Sequence, residues 1–204
     1  IPVLQRTRFT YDDLLSVLRL LRAPDGCPWD RAQTHESIRS NMIEEAYELV
    51  DAIDSGDDSK ILEETGDVLM QGAFHTVLAD ERGAFTPDDV TSAVCQKLIF
   101  RHSHIFGKDR ATDEASALSV WDRNKAEEKG QKTPSDTVRD VPSAFPAVLR
   151  AQKVAKRAAK FGYDFRDAAE ASEKVKEELG ELLAAVAEGD KAHISEEAGD
   201  LLFS

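Results

Sequence analysis

One stretch of this chain occurs twice. Residues 44–71 align with residues 177–204 without a gap, at an offset of 133, and 13 of the 28 positions are identical. Glu44-Glu45 returns as Glu177-Glu178, Gly56-Asp57 as Gly189-Asp190, and Glu63-Glu64 as Glu196-Glu197. Acidic helices share a few glutamates by chance. They do not place a Gly-Asp breaker, Ile61 and Leu69 in the same register as well. The unit reads as helix, turn, helix, and its duplication points to two related helical domains in tandem.

The spacing within one copy has a geometric consequence. Glu45 and Glu48 are i,i+3 and share a helix face, as do Glu64 and Asp67 on the next helix. Glu48 and Glu64 each lie eight residues from Gly56; Glu45 and Asp67 each lie eleven. In an antiparallel hairpin, residues equidistant from the turn sit at the same height. Four carboxylates are thus expected to meet in two level pairs. The second copy repeats the pattern about Gly189, pairing Glu181 with Glu197 and Glu178 with Asp200. Like charges held this close raise one another's pKa values unless a cation lies among them. Oxygen donors without a thiolate suit Mg²⁺, with Mn²⁺ the alternative. Glu44 and Glu63 read as solvated.

The remaining punctuation is helical. Thr10 with Asp13 opens a first helix. Further helices are expected from about Glu36 to Asp54, with Ile38, Met42, Ala46, Leu49 and Ile53 as a buried stripe, and from Lys60 to Arg82. Thr86-Pro87 starts another that runs to Ile105, and a fifth covers Asp113 to Lys129. Strand alternation is missing, and 7% aromatics with 11 Gly and 7 Pro argue against a turn-rich sandwich. The fold class is all-α: tandem helical bundles built on the duplicated hairpin. Residues 1–129 form a first domain, the proline-bearing 130–146 a linker, and 147–204 the start of a second domain. The apolar periodicity reaches Phe203 without a stop signal, so this second domain is expected to be truncated.

Composition narrows the function. A net charge of −13 disfavours nucleic-acid binding through a basic surface. Two distant cysteines, Cys27 and Cys95, build no disulfide framework and suit the reducing cytoplasm. No apolar run is long enough to span a membrane, and no signal peptide is visible.

These motifs resemble the MazG family of nucleoside triphosphate pyrophosphohydrolases, an all-α group whose hallmark is EExxE followed by ExxD on an antiparallel helix pair. Both copies match it: Glu44-Glu45-x-x-Glu48 with Glu64-x-x-Asp67, and Glu177-Glu178-x-x-Glu181 with Glu197-x-x-Asp200. The loop Gly26-Cys27-Pro28-Trp29-Asp30 and the tandem arrangement are also similar. The resemblance implies Mg²⁺-dependent hydrolysis of nucleoside triphosphates to monophosphate and pyrophosphate, with broad base specificity, by a homodimer that clears the nucleotide pool. It implies metal binding by Glu45, Glu48, Glu64 and Asp67, and by Glu178, Glu181, Glu197 and Asp200. It implies nucleotide contacts from Lys97, Arg101, Trp121 and Lys125. Lys60 and Lys174 each stand one turn before a carboxylate of the set and are phosphate candidates, although Lys174 is also placed to pair with Glu178 at i,i+4. Glu48 is the candidate general base. Trp29 reads as a packing anchor. Counterparts of Lys97, Arg101 and Trp121 in the second copy would fall beyond residue 204, so the first copy is favoured.

Rival readings are weaker. There is no Gly-rich loop ending in Gly-Lys-Ser/Thr, which disfavours a motor-type ATPase. A di-iron carboxylate bundle wants Glu-x-x-His pairs, and positions 67 and 200 are Asp. A non-enzymatic dimerisation or nucleotide-binding scaffold leaves the matched carboxylate register as coincidence.

Overall fold

The structure is a computed structural model that describes residues 7–204. Its helices are α1 Tyr11–Arg22, α2 Pro28–Ala32, α3 Arg39–Ser55, α4 Asp58–Glu81, α5 Pro87–Arg101, α6 Ser103–Phe106, α7 Glu114–Glu128, α8 Pro134–Arg139, α9 Ala147–Ala159, α10 Ala168–Glu188 and α11 Lys191–Phe203. There is no strand among the described residues. The chain divides into two compact units, Ile1–Phe100 and Arg101–Ser204.

In the first unit, α3 and α4 form the hairpin, and α1 packs on α4. Thr10 and Asp13 cap α1 reciprocally: the Asp13 N–H donates to Thr10 Oγ1, and the Thr10 N–H donates to Asp13 Oδ2. Leu15 and Leu18 on α1, Ile38 ahead of α3, and Ala73, Phe74, Val77 and Leu78 on α4 make one buried cluster. Burial along α4 is lopsided. Seven residues between Gln71 and Ala79 are buried, whereas the earlier turns are exposed or half-buried.

The hairpin turn is set by local chemistry. Gly56 closes α3 at φ 67°, a left-handed conformation that glycine adopts without Cβ strain. Asp57 then caps α4, its Oδ1 accepting from the Ser59 N–H at 2.9 Å. The same sequence builds the same turn in the second unit. Gly189 closes α10 at φ 76°, and Asp190 accepts from the Ala192 and His193 N–H groups ahead of α11. The Gly-Asp pair is therefore a reusable corner, and α10 packs on α11 as α3 does on α4. Gly56→Ala is expected to destabilise the first unit by about 1 kcal/mol, with no side chain displaced, because nothing lies within 4 Å of the added Cβ. Urea unfolding of the two proteins checks this.

Several sequence expectations change. The stretch Gly26–Asp30, expected to be a loop, runs into α2, with Pro28 at its first position, where the missing N–H costs nothing. Gly26 is required there by space: a Cβ would collide with the carbonyl oxygens of Leu20 and Leu21. Trp29 is 59% exposed and does not anchor packing. The expected stripe on α3 is only partly covered. Ile38 is buried and precedes the helix, while Ile53 is 55% exposed. The helix expected to reach Ile105 breaks at His102 into α5 and α6. In the second unit, Pro134 starts α8 under a Thr133–Asp136 capping box, so the proline-bearing stretch 130–146 contains a helix. Asp140 accepts from Lys129 Nζ at 2.7 Å and lies 3.5 Å from Arg157 Nη1, and Val141 is buried.

Candidate functional site

The hairpin in the first unit brings three carboxylates to one place. Oxygens of Glu45, Glu48 and Glu64 all lie within 4.8 Å of one another. Glu45 and Glu48 come from α3 by i,i+3 spacing, and Glu64 faces them from α4 across the Gly56 corner. Asp67, one turn further along α4, adds its charge beside Glu64. Glu45 and Glu64 are half-buried, and Glu48 is exposed. Glu64 Oε2 is buried without a hydrogen-bond partner. Its carboxyl is held above the usual range, first by burial and then by the negative charges of Glu48, Glu63, Asp67 and Glu45. An orphaned carboxylate oxygen in a cluster of hard, anionic oxygens has the charge, donor type and spacing of a divalent-cation site. The residues therefore fit such an ion.

The second unit also gathers three of its four expected carboxylates, but not the same three: the first group takes Glu48 and leaves out Asp67, whereas the second takes Asp200 and leaves out Glu181. Oxygens of Glu178, Glu197 and Asp200 lie within 4.8 Å of one another, and Glu197 Oε2 is buried without a hydrogen-bond partner. Glu181 stands at the edge of this group. Burial raises its carboxyl, as do the charges of Glu178, Glu197 and Glu177, while Lys174 opposes them.

The basic and aromatic candidates are distributed over both units. Lys60 on α4 and Lys97 on α5 are exposed. Arg101 ends α5, is buried, and pairs with Glu128 at 2.6 Å. Its guanidinium carbon lies 5.1 Å from the Trp121 ring centroid, and Lys125 Nζ lies 4.8 Å from the same ring. Arg101, Trp121 and Lys125 thus form one cation–aromatic group. The Lys125 ammonium is held below its usual range by burial and by the nearby positive charges of Arg157, Lys129 and Arg101. Lys174 lies beside Glu178 on α10.

Two contacts of the sites, and one elsewhere in the first unit, are not among the sequence expectations. Gln71, buried one turn after Asp67, donates from Nε2 to Glu45 Oε1 at 3.3 Å. His193 Nε2 lies 3.1 Å from Glu197 and its Nδ1 3.2 Å from Glu188. Carrying Lys60 across the repeat would have located His193, since both precede a cluster glutamate by four residues. His35 and His75 face each other through Nδ1 atoms 2.9 Å apart with stacked rings, a long-range pairing that no local spacing announces.

Comparison with known proteins identifies the family. Residues 33–106 match the MazG nucleotide pyrophosphohydrolase domain, and residues 143–204 match phosphoribosyl-ATP pyrophosphohydrolase. Each match contains one carboxylate hairpin. The chain is 43% identical over 194 residues to the nucleoside triphosphate pyrophosphohydrolase/pyrophosphatase MazG of Thermotoga maritima, covering 95% of this chain and 73% of that protein. It is 39% identical over 196 residues to the nucleoside triphosphate pyrophosphohydrolase of Escherichia coli K12, covering 95% of this chain and 74% of that one. A Mycolicibacterium smegmatis nucleoside triphosphate pyrophosphohydrolase is 40% identical over 138 residues, covering 66% of this chain and 42% of its own length. With two facing-carboxylate hairpins and relatives matched along nearly its whole length, the chain belongs to the MazG family of nucleotide pyrophosphohydrolases.

Proposed function

We propose that this chain hydrolyses nucleoside triphosphates of broad base specificity to the monophosphate and pyrophosphate, as an enzyme that clears the nucleotide pool. The observation that carries the reading is the Glu45–Glu48–Glu64 cluster with its orphaned buried oxygen, in a family of pyrophosphohydrolases. The metal assigned to it is Mg²⁺, with Mn²⁺ able to substitute, held by Glu45, Glu48, Glu64 and Asp67. A second set is Glu178, Glu181, Glu197 and Asp200. When bound, such an ion neutralises phosphate oxygens and offsets the charge that develops as the α–β bridge breaks.

The residues then divide the work. Glu45 and Glu64, half-buried, fix the cluster, and Gln71 orients Glu45 from behind. Glu48 is the solvent-exposed member, which supports assigning it the proton of an attacking water. The water oxygen bonds to the α-phosphorus, the bond from that phosphorus to the bridging oxygen breaks, and pyrophosphate leaves with the bonding pair. Lys60, Lys97, Arg101, Trp121 and Lys125 are assigned to the nucleotide, and Lys174 to phosphate in the second copy. The working domain is assigned to 1–129, the connection to 130–146 and the second domain to 147–204, with the first copy carrying turnover.

We further propose a homodimer in the cytoplasm. Ile43, Tyr47 and Val50 are exposed on α3 at i, i+4, i+7, and Leu62 and Leu69 are exposed on α4. Such a stripe on two neighbouring helices is the kind a second copy would cover. Among the described residues no helix is long and apolar enough to cross a membrane.

The test is product analysis with each nucleoside triphosphate, with and without Mg²⁺, separating pyrophosphate from orthophosphate. The expected products are monophosphate and pyrophosphate in equal amounts, only with Mg²⁺, and lost in Glu45→Ala. Orthophosphate as the first product would overturn the α-phosphorus assignment. Full activity in Glu45→Ala with loss in Glu178→Ala would move turnover to the second copy.

A further inference from the structure

The repeat lets the two acidic centres be compared position by position. Lys174 stands where the first copy has Asn41, and His193 stands where it has Lys60. In the second centre both substituted residues touch the cluster. Lys174 Nζ lies 2.6 Å from Glu178 Oε1 and 2.9 Å from Glu177 Oε1, and the Glu178 side chain is only 7% exposed. His193 Nε2 lies 3.1 Å from Glu197. In the first centre no Lys, Arg or His among the described residues comes within ion-pair distance of Glu45, Glu48, Glu64 or Asp67. Its hydrogen-bonding neighbour is the neutral amide of Gln71.

This difference changes how each centre receives a cation. A buried carboxylate already paired with an ammonium is compensated, and removing the ammonium leaves it exposed to the full penalty of burial. A divalent ion approaching Glu178 meets a like charge and must displace it. A carboxylate cluster compensated only by a neutral amide has no such competitor. Phosphate oxygens offer the displaced ammonium a new partner, so ion and phosphate would assist each other at the second centre.

We propose that Lys174 is the resident counter-ion of the second centre. It makes that centre the weaker site for a free divalent cation, and it couples cation binding there to binding of a polyphosphate that takes over the ammonium. The first centre, with Asn41 in its place, binds the cation directly. The inference rests on the reading above that the carboxylate clusters hold a divalent ion.

The experiment uses the full chain and Mn²⁺. Free ion is counted by electron paramagnetic resonance, and the complex with inorganic tripolyphosphate is followed by water-proton relaxation. Glu45→Gln/Glu48→Gln leaves the second centre alone, and Glu178→Gln/Glu181→Gln leaves the first. Helical circular dichroism is checked in each. The first-centre protein should bind Mn²⁺ about tenfold more tightly than the second, the scale of one partly screened charge contact. Adding Lys174→Asn to the second-centre protein should tighten Mn²⁺ by about tenfold yet weaken binding of the preformed Mn²⁺–tripolyphosphate complex. Asn41→Lys in the first-centre protein should weaken Mn²⁺ by a like factor. Lys174→Gln repeats the test should Lys174→Asn lose helicity. The opposite signs for bare ion and complex mark a counter-ion, since a merely structural lysine would move both together. If both centres bind Mn²⁺ equally and the exchanged residues leave the affinities unchanged, the counter-ion inference fails while the metal reading stands. If neither centre binds Mn²⁺, both fail.

Discussion

Glu64→Gln is expected to abolish Mg²⁺-dependent pyrophosphate release while raising the thermal stability of the metal-free protein. The two effects have one cause. Glu64 is half-buried on α4 against the charges of Glu48, Glu63, Asp67 and Glu45, and one of its oxygens is buried without a partner. The crowding of negative charge disfavours the ionised form of Glu64 in the folded protein, and the proposed ion would offset it. Replacing it with the neutral amide removes the repulsion and the ligand together. Loss of an ion that stabilises the transition state by several kcal/mol corresponds to about a thousandfold in kcat/KM.

The pH dependence follows with a definite sign. The folded-state pKa of Glu64 lies above its unfolded value of 4.5. The folded state therefore holds the proton more tightly, and stability falls as pH rises through the folded pKa. In EDTA the difference in Tm between Glu64→Gln and wild type should widen over that rise, and Mg²⁺ should reverse it. A variant that loses Tm in EDTA at neutral pH would show that Glu64 is a structural partner rather than a strained ligand.

Phe74→Ala should cost the first unit about 3–5 kcal/mol, the range for truncating a buried aromatic side chain. Phe74 sits in the cluster of Leu15, Leu18, Ile38, Ala73, Val77 and Leu78, and the Arg22 guanidinium carbon lies 5.4 Å from its ring centroid. The truncation removes packing between α1 and α4 as well as the cation–π contact. Against a usual domain stability of about 5–15 kcal/mol, that is a large share. Phe74→Leu, which preserves much of the volume, should cost less than about 1.5 kcal/mol. Urea unfolding of the first unit, followed alongside Mg²⁺-dependent activity, measures both. Equal and small losses for the two variants would show that the cluster does not support the hairpin.

What could be read in the sequence is what local chemistry decides. The Gly56-Asp57 and Gly189-Asp190 corners were legible because a left-handed glycine followed by an N-cap aspartate is specified within a few residues. The carboxylate faces were legible in part: i,i+3 spacing and distance from the corner bring Glu45, Glu48 and Glu64 together, and Glu178, Glu197 and Asp200, but the two level pairs expected in each copy do not close, because Asp67 and Glu181 stay outside the groups. The resemblance to a known family rested on those same residues, and the relatives agree with it. The failures are tertiary. Trp29 and Ile53 have the apolar character of core residues, and nothing nearby in sequence says that both stand more than half exposed. Gln71 reaches Glu45 across the hairpin, and His35 meets His75 from a different segment; neither has a local signature. His193 is the intermediate case, since the repeat itself pointed to it. The roles of Lys60, Lys97, Arg101, Trp121 and Lys125 toward nucleotide rest on the resemblance and on the proposed reaction.

The uneven burial of α4 has a mechanical consequence. The helix is about 36 Å long at 1.5 Å per residue. Its second half is clamped by α1, and its first half carries Glu64 and Asp67 out along the hairpin. It is a beam held by the α1 cluster at one end, with the chemistry on the span that only its hairpin partner α3 supports. An ion gripped by both arms, about two to three turns from the corner, would act as a tie rod between α3 and α4. Loading the proposed metal would then also brace the hairpin, so binding and stiffening would be a single step.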